Sequence, residues 1–265
     1  DNSHIPPFLT PWSPPPDMKK DLTPGLTAIR LAAFTGEYML EYKPGMDIGK
    51  QVEHIRAAGY TATNSHPGRL NRNPWLDAPD SAIRELKDAL RANDVLFADM
   101  HCNANNMHPD PAMREKERQW CYWQIEAADL VGAPLISTHI GSMAPGAIAP
   151  HPKNWTWECW ELSVQTLNDM IAHTSGSNVA LALEPDPLVQ INCIAAHKKI
   201  MEECGPRVKV CYDPINMMNM SVHFRTTELI NESFDILGED ILIAHAKDTA
   251  IDPNQMSIYM GEVLQ

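Results

Sequence analysis

The stretch Val179-Ala-Leu-Ala-Leu-Glu184-Pro-Asp186-Pro187 decides the fold of this chain. Its first five residues are small or apolar, which predicts a short strand buried on both faces, as in a parallel sheet covered by helices. The two prolines that follow disfavour a longer strand, so we expect the strand to end at Glu184. A carboxylate therefore lies at the end of a buried strand.

The same design recurs twice, at intervals of about thirty residues. Residues 208–213 and 241–245 are largely apolar runs that end at Asp213 and His245. Apolar residues at helical spacing separate these runs, so each unit is a strand followed by a helix. Similar units precede them, and the predicted strand ends fall near residues 33, 65, 101, 139, 184, 213 and 245. The first predicted strand covers residues 26–33, and the helix after Glu184 covers roughly residues 189–204. The helix after His101 has Trp120, Trp123, Ala127 and Leu130 on one side.

Seven such units in series predict an α/β fold, the TIM (β/α)8 barrel. The eighth strand is expected about thirty residues after His245, yet the sequence ends at Gln265. We therefore expect a truncated C-terminal end, because an open barrel would leave two strand edges unpaired. The alternative is a doubly wound open sheet, but Ala33-Phe-Thr-Gly36-Glu does not supply its glycine-rich phosphate turn after the first strand.

The length of 265 residues suits one large domain, which we place at residues 26–265. Residues 1–25 contain seven prolines, a density that predicts an extended proline-rich N-terminal arm and no helix. Such an arm would wrap the domain or contact a partner, and a homo-oligomer is one possibility.

Composition narrows the classes of partner. A formal net charge of −13 disfavours a nucleic acid partner and leaves small neutral molecules as the better fit. The chain has no apolar run of about 18 residues, so no membrane association is expected. Six cysteines without a CxxC pair favour a reducing, cytoplasmic location.

The predicted barrel brings three strand ends to one rim. Glu184, Asp213 and His245 all lie where strands enter the C-terminal face, which is the catalytic face of this fold. Two carboxylates and an imidazole suit one divalent metal ion, and the oxygen-rich set favours Mn²⁺ or Mg²⁺ over Co²⁺ or Zn²⁺. The alternative is that these groups only cap their strands.

Further residues are candidates for catalysis and substrate binding on the same rim. His139 ends the fourth strand and is a candidate base near neutral pH, and Lys247 could stabilise an enolate oxygen or pair with Asp248. Two candidate substrate-binding residues have structural alternatives: Asp186 could instead cap the next helix, and Trp155 could instead hold a loop against the barrel. The candidate substrate-binding residues are His101, His66, Asn216, Asp186 and Trp155.

Three motifs, Leu183-Glu184-Pro-Asp-Pro187, Tyr212-Asp213-Pro-Ile-Asn216 and His245-Ala-Lys247-Asp248, resemble the xylose-isomerase-like TIM-barrel superfamily of sugar phosphate isomerases and epimerases. The resemblance covers roughly residues 26–265. It implies that Glu184, Asp213 and His245 are three ligands of one divalent metal. In the ketose 3-epimerase branch, the Glu that matches Glu184 also exchanges the substrate proton. The fourth ligand of the superfamily, a Glu on the last strand, has no counterpart here.

The sequence departs from the ketose 3-epimerase branch of that superfamily at three positions that clamp sugar hydroxyls. Gln190, Asn216 and Ile251 stand where that branch has Glu, His and Arg. The DNA-repair nuclease branch also uses the His that is absent at position 216.

We therefore expect a divalent-metal-dependent isomerase or epimerase that acts on a sugar or keto-sugar through an ene-diolate. One alternative is a metal-dependent lyase or dehydratase of a keto-sugar or keto-glycoside. Another is a non-catalytic sugar-binding barrel.

Overall fold

The computed structural model describes residues 29–33, 36–66, 72–219, 222–251 and 260–263. Six parallel strands form one sheet, and they pair in the order in which they follow one another along the chain. They are β1 Ala62–Ser65, β2 Leu96–Cys102, β3 Leu135–Thr138, β4 Ala180–Leu183, β5 Val208–Tyr212 and β6 Ile241–Ala244. Sequential parallel pairing with helical crossovers is the TIM-barrel path, and these strands form a curled half of the barrel.

Helices precede β1 and join each pair of neighbouring strands. They are α1 Ile48–Ala57, α2 Asp80–Ala92, α3 Pro111–Val131, α4 Trp157–His173, α5 Ile194–Cys204 and α6 Thr226–Leu237. Local chemistry sets several ends: the Asp47 side chain accepts a hydrogen bond from the Lys50 N–H at the start of α1, and Gly132 ends α3 with φ +85°. Within the described residues we find no helix whose length and apolar content would let it cross a lipid bilayer.

The core lies between the sheet and the helices. All four residues of β4 are buried, as the unbroken apolar run predicts. The apolar stripe of α1 is buried as well, with Ile48, Val52 and Ile55 each at most 1% exposed. The predicted α/β class and TIM-barrel architecture are therefore confirmed.

The core covers only part of the predicted apolar side of one helix. The spacing of Trp120, Trp123, Ala127 and Leu130 predicts that they share one side of α3, but Leu130 is 37% exposed. Ten residues at about 100° per residue place Leu130 roughly 80° around the helix from Trp120. The core therefore covers one side of this helix and leaves Leu130 at its edge.

The predicted first strand, 26–33, is wrong where it can be tested. Residues 26–28 lie outside the described residues, and residues 29–33 form no strand. The Leu31 carbonyl accepts hydrogen bonds from the N–H groups of both Thr61 and Ala62, at 2.9 Å each. A ladder needs alternate residues as partners, so this segment lies beside β1 without extending the sheet.

The two ends of the chain leave other expectations open. The proline-rich arm, 1–25, lies outside the described residues, so the domain boundary stays a prediction. After β6, β7 Asp248–Ile251 and β8 Met260–Val263 form a separate antiparallel pair. Among the described residues, no further strand joins the parallel sheet.

Candidate metal centre

Three strand ends hold the predicted ligands. Glu184, Asp213 and His245 each follow directly after the last residue of β4, β5 and β6. The Glu184 N–H donates to the Thr138 carbonyl at 3.0 Å, and the His245 N–H donates to the Tyr212 carbonyl at 2.8 Å. The backbone pairing therefore extends one residue beyond these strands, which places the side chains on the same rim.

The imidazole of His245 brings the two carboxylates together. Its Nδ1 lies 3.2 Å from Glu184 Oε1 and 3.3 Å from Asp213 Oδ2. Both carboxylates are buried, at 4% and 0% exposure. Donor atoms about 3 Å apart are spaced like neighbouring ligands around one ion with bonds of about 2.0–2.2 Å.

Hydrogen bonds decide the charge of these groups. Burial opposes ionisation of Asp213, but bonds from His245 and from Lys247 Nζ, which lies 2.9 Å away, lower its pKa to about 2. Burial likewise opposes the charged ring of His245, yet bonds to Asp213, Cys211 and Glu184 raise its pKa to about 12. A proton therefore holds the position between the carboxylates, and the ring must release it before Nδ1 can bind a metal ion.

Cys211 is a further possible ligand that sequence analysis missed. The ligand atoms of Glu184, Cys211 and His245 lie within 4.8 Å of one another, with Cys211 Sγ 3.6 Å from His245 Nε2. Burial raises the pKa of Cys211 to about 12, so the sulfur stays a thiol, whereas Asp213 is ionised. The ionised carboxylate is the better third ligand for a hard divalent ion. The sequence did contain a signal for Cys211: it lies two residues before Asp213, and alternate residues of a strand point to the same side.

His139 adds a second nitrogen next to Glu184. Its Nδ1 lies 3.2 Å from the Glu184 carbonyl oxygen, which only accepts, so Nδ1 carries a proton. In the neutral ring Nε2 then has a lone pair, and it lies 3.4 Å from Glu184 Oε2. Both atoms are hydrogen-bond acceptors, so a proton or a cation must lie between them. The nitrogen and the carboxylate oxygen therefore fit a divalent metal ion.

Asn216 and Lys247 contact the carboxylates. Asn216 Nδ2 donates to Glu184 Oε1 at 3.2 Å, and its backbone N–H donates to Asp213 Oδ1 at 3.4 Å. Lys247 forms an ion pair with Asp213, a partner that the sequence did not suggest. These contacts hold the carboxylate oxygens in place, as the residues behind metal ligands commonly do.

Asp186 and Trp155 differ in how they relate to the centre. Asp186 is buried, and its Oδ1 accepts from the Leu188 N–H at 2.8 Å. The alternative that it caps a helix at 189–204 is wrong, because α5 begins only at Ile194 and Asp186 caps a turn. Trp155 is the last residue of a short 3-10 helix, Pro152–Trp155, and is 55% exposed. Its role in substrate binding stays a prediction.

His66 and His101 lie together at the ends of β1 and β2. Their rings meet edge to face with centroids 4.5 Å apart. Burial and the neighbouring positive groups lower the pKa of His101 to about 3, so its ring is neutral. Its Nδ1 is 2.9 Å from Ser137 Oγ, which in turn contacts Asp99. Sequence analysis missed both partners, although Asp99 interrupts the apolar run 95–100.

The three positions at which the sequence departs from the ketose 3-epimerase branch are only partly described. Gln190 is 7% exposed, its Nε2 contacts Cys159 Sγ, and its Oε1 has no hydrogen-bond partner among the described residues. Asn216 bonds Glu184, while the side chain of Ile251 lies outside the described residues. Gln190 therefore keeps a buried acceptor for a further group.

Three solved structures show how widely this fold is used. Endonuclease IV from Thermus thermophilus is 16% identical and has a TM-score of 0.64, with 83% of this chain and 77% of that chain covered. A probable 3-DHS dehydratase from Bacillus anthracis is 14% identical, with a TM-score of 0.60 and coverage of 77% and 69%. A 3-keto-D-glucoside 4-epimerase from E. coli is 12% identical, with a TM-score of 0.55 and coverage of 79% and 78%.

At these identities the similarity shows the fold alone. No curated protein matches the chain. The sequence profile of one family, described as xylose isomerase-like TIM barrel, matches residues 52–260, which is well over half of the chain. This chain therefore belongs to the xylose isomerase-like TIM-barrel family.

Proposed function

We propose that this chain is a divalent-metal-dependent isomerase or epimerase that acts on a sugar or keto-sugar through an ene-diolate. One observation carries the proposal: His245 Nδ1 lies within 3.3 Å of both the Glu184 and the Asp213 carboxylates at the catalytic rim of the barrel. The family and the shared fold of a 3-keto-D-glucoside 4-epimerase support the substrate class.

Glu184, Asp213 and His245 would hold the metal ion. A bound Mg²⁺ or Mn²⁺ would supply Lewis-acid polarisation of a carbonyl and a neighbouring hydroxyl of the substrate. Asn216 and Lys247 orient the two carboxylates, because each donates to an oxygen that faces His245. With Glu184 only 4% exposed, little water competes for its oxygens.

Glu184 and His139 are the proposed proton-transfer groups. Glu184 Oε2 would take the proton from the carbon next to the carbonyl, and His139 Nε2, 3.4 Å away, would share that proton. Lys247 Nζ, at the Asp213 side of the centre, would donate to the oxygen on which negative charge develops. Protonation of the same carbon on its other face, by a second acid or by water, gives an epimer, and return of the abstracted proton to the neighbouring carbon gives an isomer.

A lyase or dehydratase is the second candidate. It is favoured by Gln190, whose buried Oε1 is an uncharged acceptor at a hydroxyl-clamping position. The shared fold of a probable 3-DHS dehydratase agrees with it. The same proton abstraction would then be followed by loss of a substituent from the next carbon.

Metal analysis together with solvent exchange tests the proposal. The full chain loaded with Mn²⁺ should retain the ion after gel filtration and should exchange deuterium from D₂O into a carbon next to the carbonyl of a keto-sugar. Glu184→Gln and His245→Ala should each lower the affinity for Mn²⁺ and the rate of deuterium exchange at least about 100-fold. Even the loss of residues behind metal ligands lowers metal affinity or activity about 10–100-fold.

His173→Ala is the matched control, because His173 is exposed at the end of α4 and stacks on Tyr122 away from the centre. It should leave both signals unchanged. Full exchange by Glu184→Gln would contradict the proposal. Retention of Mn²⁺ without exchange on any keto-sugar would instead favour the sugar-binding barrel.

A further inference from the structure

Three buried side chains form a chain of hydrogen bonds beneath the rim. His101 on β2 pairs in register with Ser137 on β3, and Asp99 lies two residues before His101 on the same side of β2. The Ser137 N–H donates to Asp99 Oδ1 at 2.7 Å. Ser137 Oγ lies 2.6 Å from Asp99 Oδ2 and 2.9 Å from His101 Nδ1. All three residues are at most 7% exposed.

The chemistry of the groups sets the direction of these bonds. A carboxylate only accepts hydrogen bonds, and 2.6 Å is the length typical of a hydroxyl that donates to one. The single hydroxyl hydrogen of Ser137 is therefore used on Asp99. Ser137 Oγ can then only accept from His101, so Nδ1 of that ring must carry the proton.

We propose that Asp99 and Ser137 are positioning residues that fix His101 as the Nδ1–H tautomer and thereby make its Nε2 a hydrogen-bond acceptor at the rim. Because Nε2 has a lone pair in this tautomer, it pairs with a donor. On the proposed function, on which this consequence rests, a substrate group that binds Nε2 must be a donor such as a hydroxyl and not a carbonyl oxygen. The tautomer itself follows from the hydrogen bonds alone.

The surroundings of the network favour this state above neutral pH. Burial lowers the pKa of His101, and His66, His139, His245 and Lys247 lower it further, to about 3, so the ring does not become a cation.

Burial raises the pKa of Asp99 to about 7. The Ser137 bonds and the positive charge of His245 oppose that shift, and Glu184 adds to it. On β1 the register partner of Asp99 is Asn64, which does not titrate. Measurement at pH about 9 therefore keeps Asp99 ionised, since that lies about two units above its pKa.

Nuclear magnetic resonance reads the tautomer directly. In the full chain labelled with ¹⁵N-histidine, with MgCl₂ in excess and without substrate, long-range ¹H–¹⁵N spectra distinguish a protonated ring nitrogen from one with a lone pair. At pH about 9 the His101 signals should show a proton on Nδ1 and a lone pair on Nε2.

Two variants test the positioning. Ser137→Ala removes the acceptor for Nδ1–H, and the Nε2–H tautomer should appear. In Asp99→Asn the Ser137 N–H still requires an oxygen acceptor, so the new amide nitrogen faces Ser137 Oγ and donates to it. The serine hydroxyl then donates to Nδ1, and the tautomer should invert to Nε2–H.

Ser163→Ala is the control, since this serine is fully buried on α4 and its hydroxyl donates to the Cys159 carbonyl at 2.8 Å. It should leave the His101 signals unchanged. An Nε2–H tautomer in the wild-type protein would overturn the proposal, and so would Nδ1–H retained in both variants. The wild-type spectrum decides the matter even if a variant fails to fold. A chain that shows this spectrum but no deuterium exchange would refute the proposed function and leave the tautomer established.

Discussion

Replacing Gly141 by alanine should destabilise the protein strongly. Gly141 lies in the β3–α4 loop, two residues after His139, and has φ +107°. An added Cβ would lie 2.5 Å from Asn105 Oδ1 and 2.8 Å from the Asn106 backbone nitrogen. The Asn105 side chain is itself held, because its Oδ1 accepts from the Ser142 N–H at 2.8 Å. It cannot move aside without losing that bond.

The expected cost combines two effects. A left-handed backbone costs a residue with a Cβ about 1–2 kcal/mol, and forcing atoms apart in a packed site costs about 1–3 kcal/mol. The lower entropy of the unfolded alanine variant returns about 0.4–1 kcal/mol. Gly141→Ala should therefore lower the free energy of unfolding by about 2–4 kcal/mol.

Two other glycines separate the effects. Gly59 has φ +95° and nothing within 4 Å of the added Cβ, so Gly59→Ala should show the backbone cost, reduced by the same entropy gain, without the cost of a close contact. Gly176 has neither a positive φ nor any atom within 4 Å of the added Cβ, so Gly176→Ala should be neutral or slightly stabilising. Urea unfolding at a constant m-value measures all three. If Gly141→Ala cost no more than Gly59→Ala, the argument from the close contact would be wrong.

Three further predictions concern stability. Burial raises the pKa of Asp99 from 3.8 to about 7. Between these two pH values Asp99 is protonated in the folded protein but ionised in the unfolded chain. Stability should therefore fall as pH rises from about 4 to about 8, by about 4 kcal/mol from this group, and urea titrations of Asp99→Asn should lack that part of the slope. Asn154→Ala should lower the free energy of unfolding by about 2–4 kcal/mol, because the Ala149 and Leu188 carbonyls each lose the hydrogen bond that Asn154 Nδ2 donates. Amide hydrogen exchange in the β3–α4 loop should then become faster, and unchanged protection there would contradict this role of Asn154. Leu86 is fully buried, so Leu86→Ala should lower the free energy of unfolding by about 2–5 kcal/mol, as measured by thermal unfolding. Leu130 is 37% exposed, and a larger loss for Leu130→Ala than for Leu86→Ala would contradict the assigned core.

Local patterns were enough to predict the barrel and the rim. A strand buried on both faces needs an unbroken apolar run, and the C-terminal ends of parallel strands share one edge. The apolar runs, and the polar residues Glu184, Asp213 and His245 that follow them, are visible in the sequence. The predicted start of α5 is five residues too early, because Val189 and Ile191 are buried in an irregular segment before the helix and not in the helix itself.

Contacts between strands could not be predicted in the same way. The pairing of Ser137 with His101, and the ion pair of Lys247 with Asp213, depend on how far one strand is shifted along its neighbour. A shift of one residue would turn a strand's side chains to the opposite face, and no pattern within a single strand fixes that shift.

The sequence by itself therefore determined the α/β class, the order of the units and which residues end β4, β5 and β6, because these follow from periodicity within a few residues. Only the tertiary structure decided that Cys211 meets His245, that Asp213 is bonded to Lys247 and that Asp99 reaches His101 through Ser137. These contacts join residues that lie on, or just after, different strands, and packing of the whole sheet against its helices sets their distances.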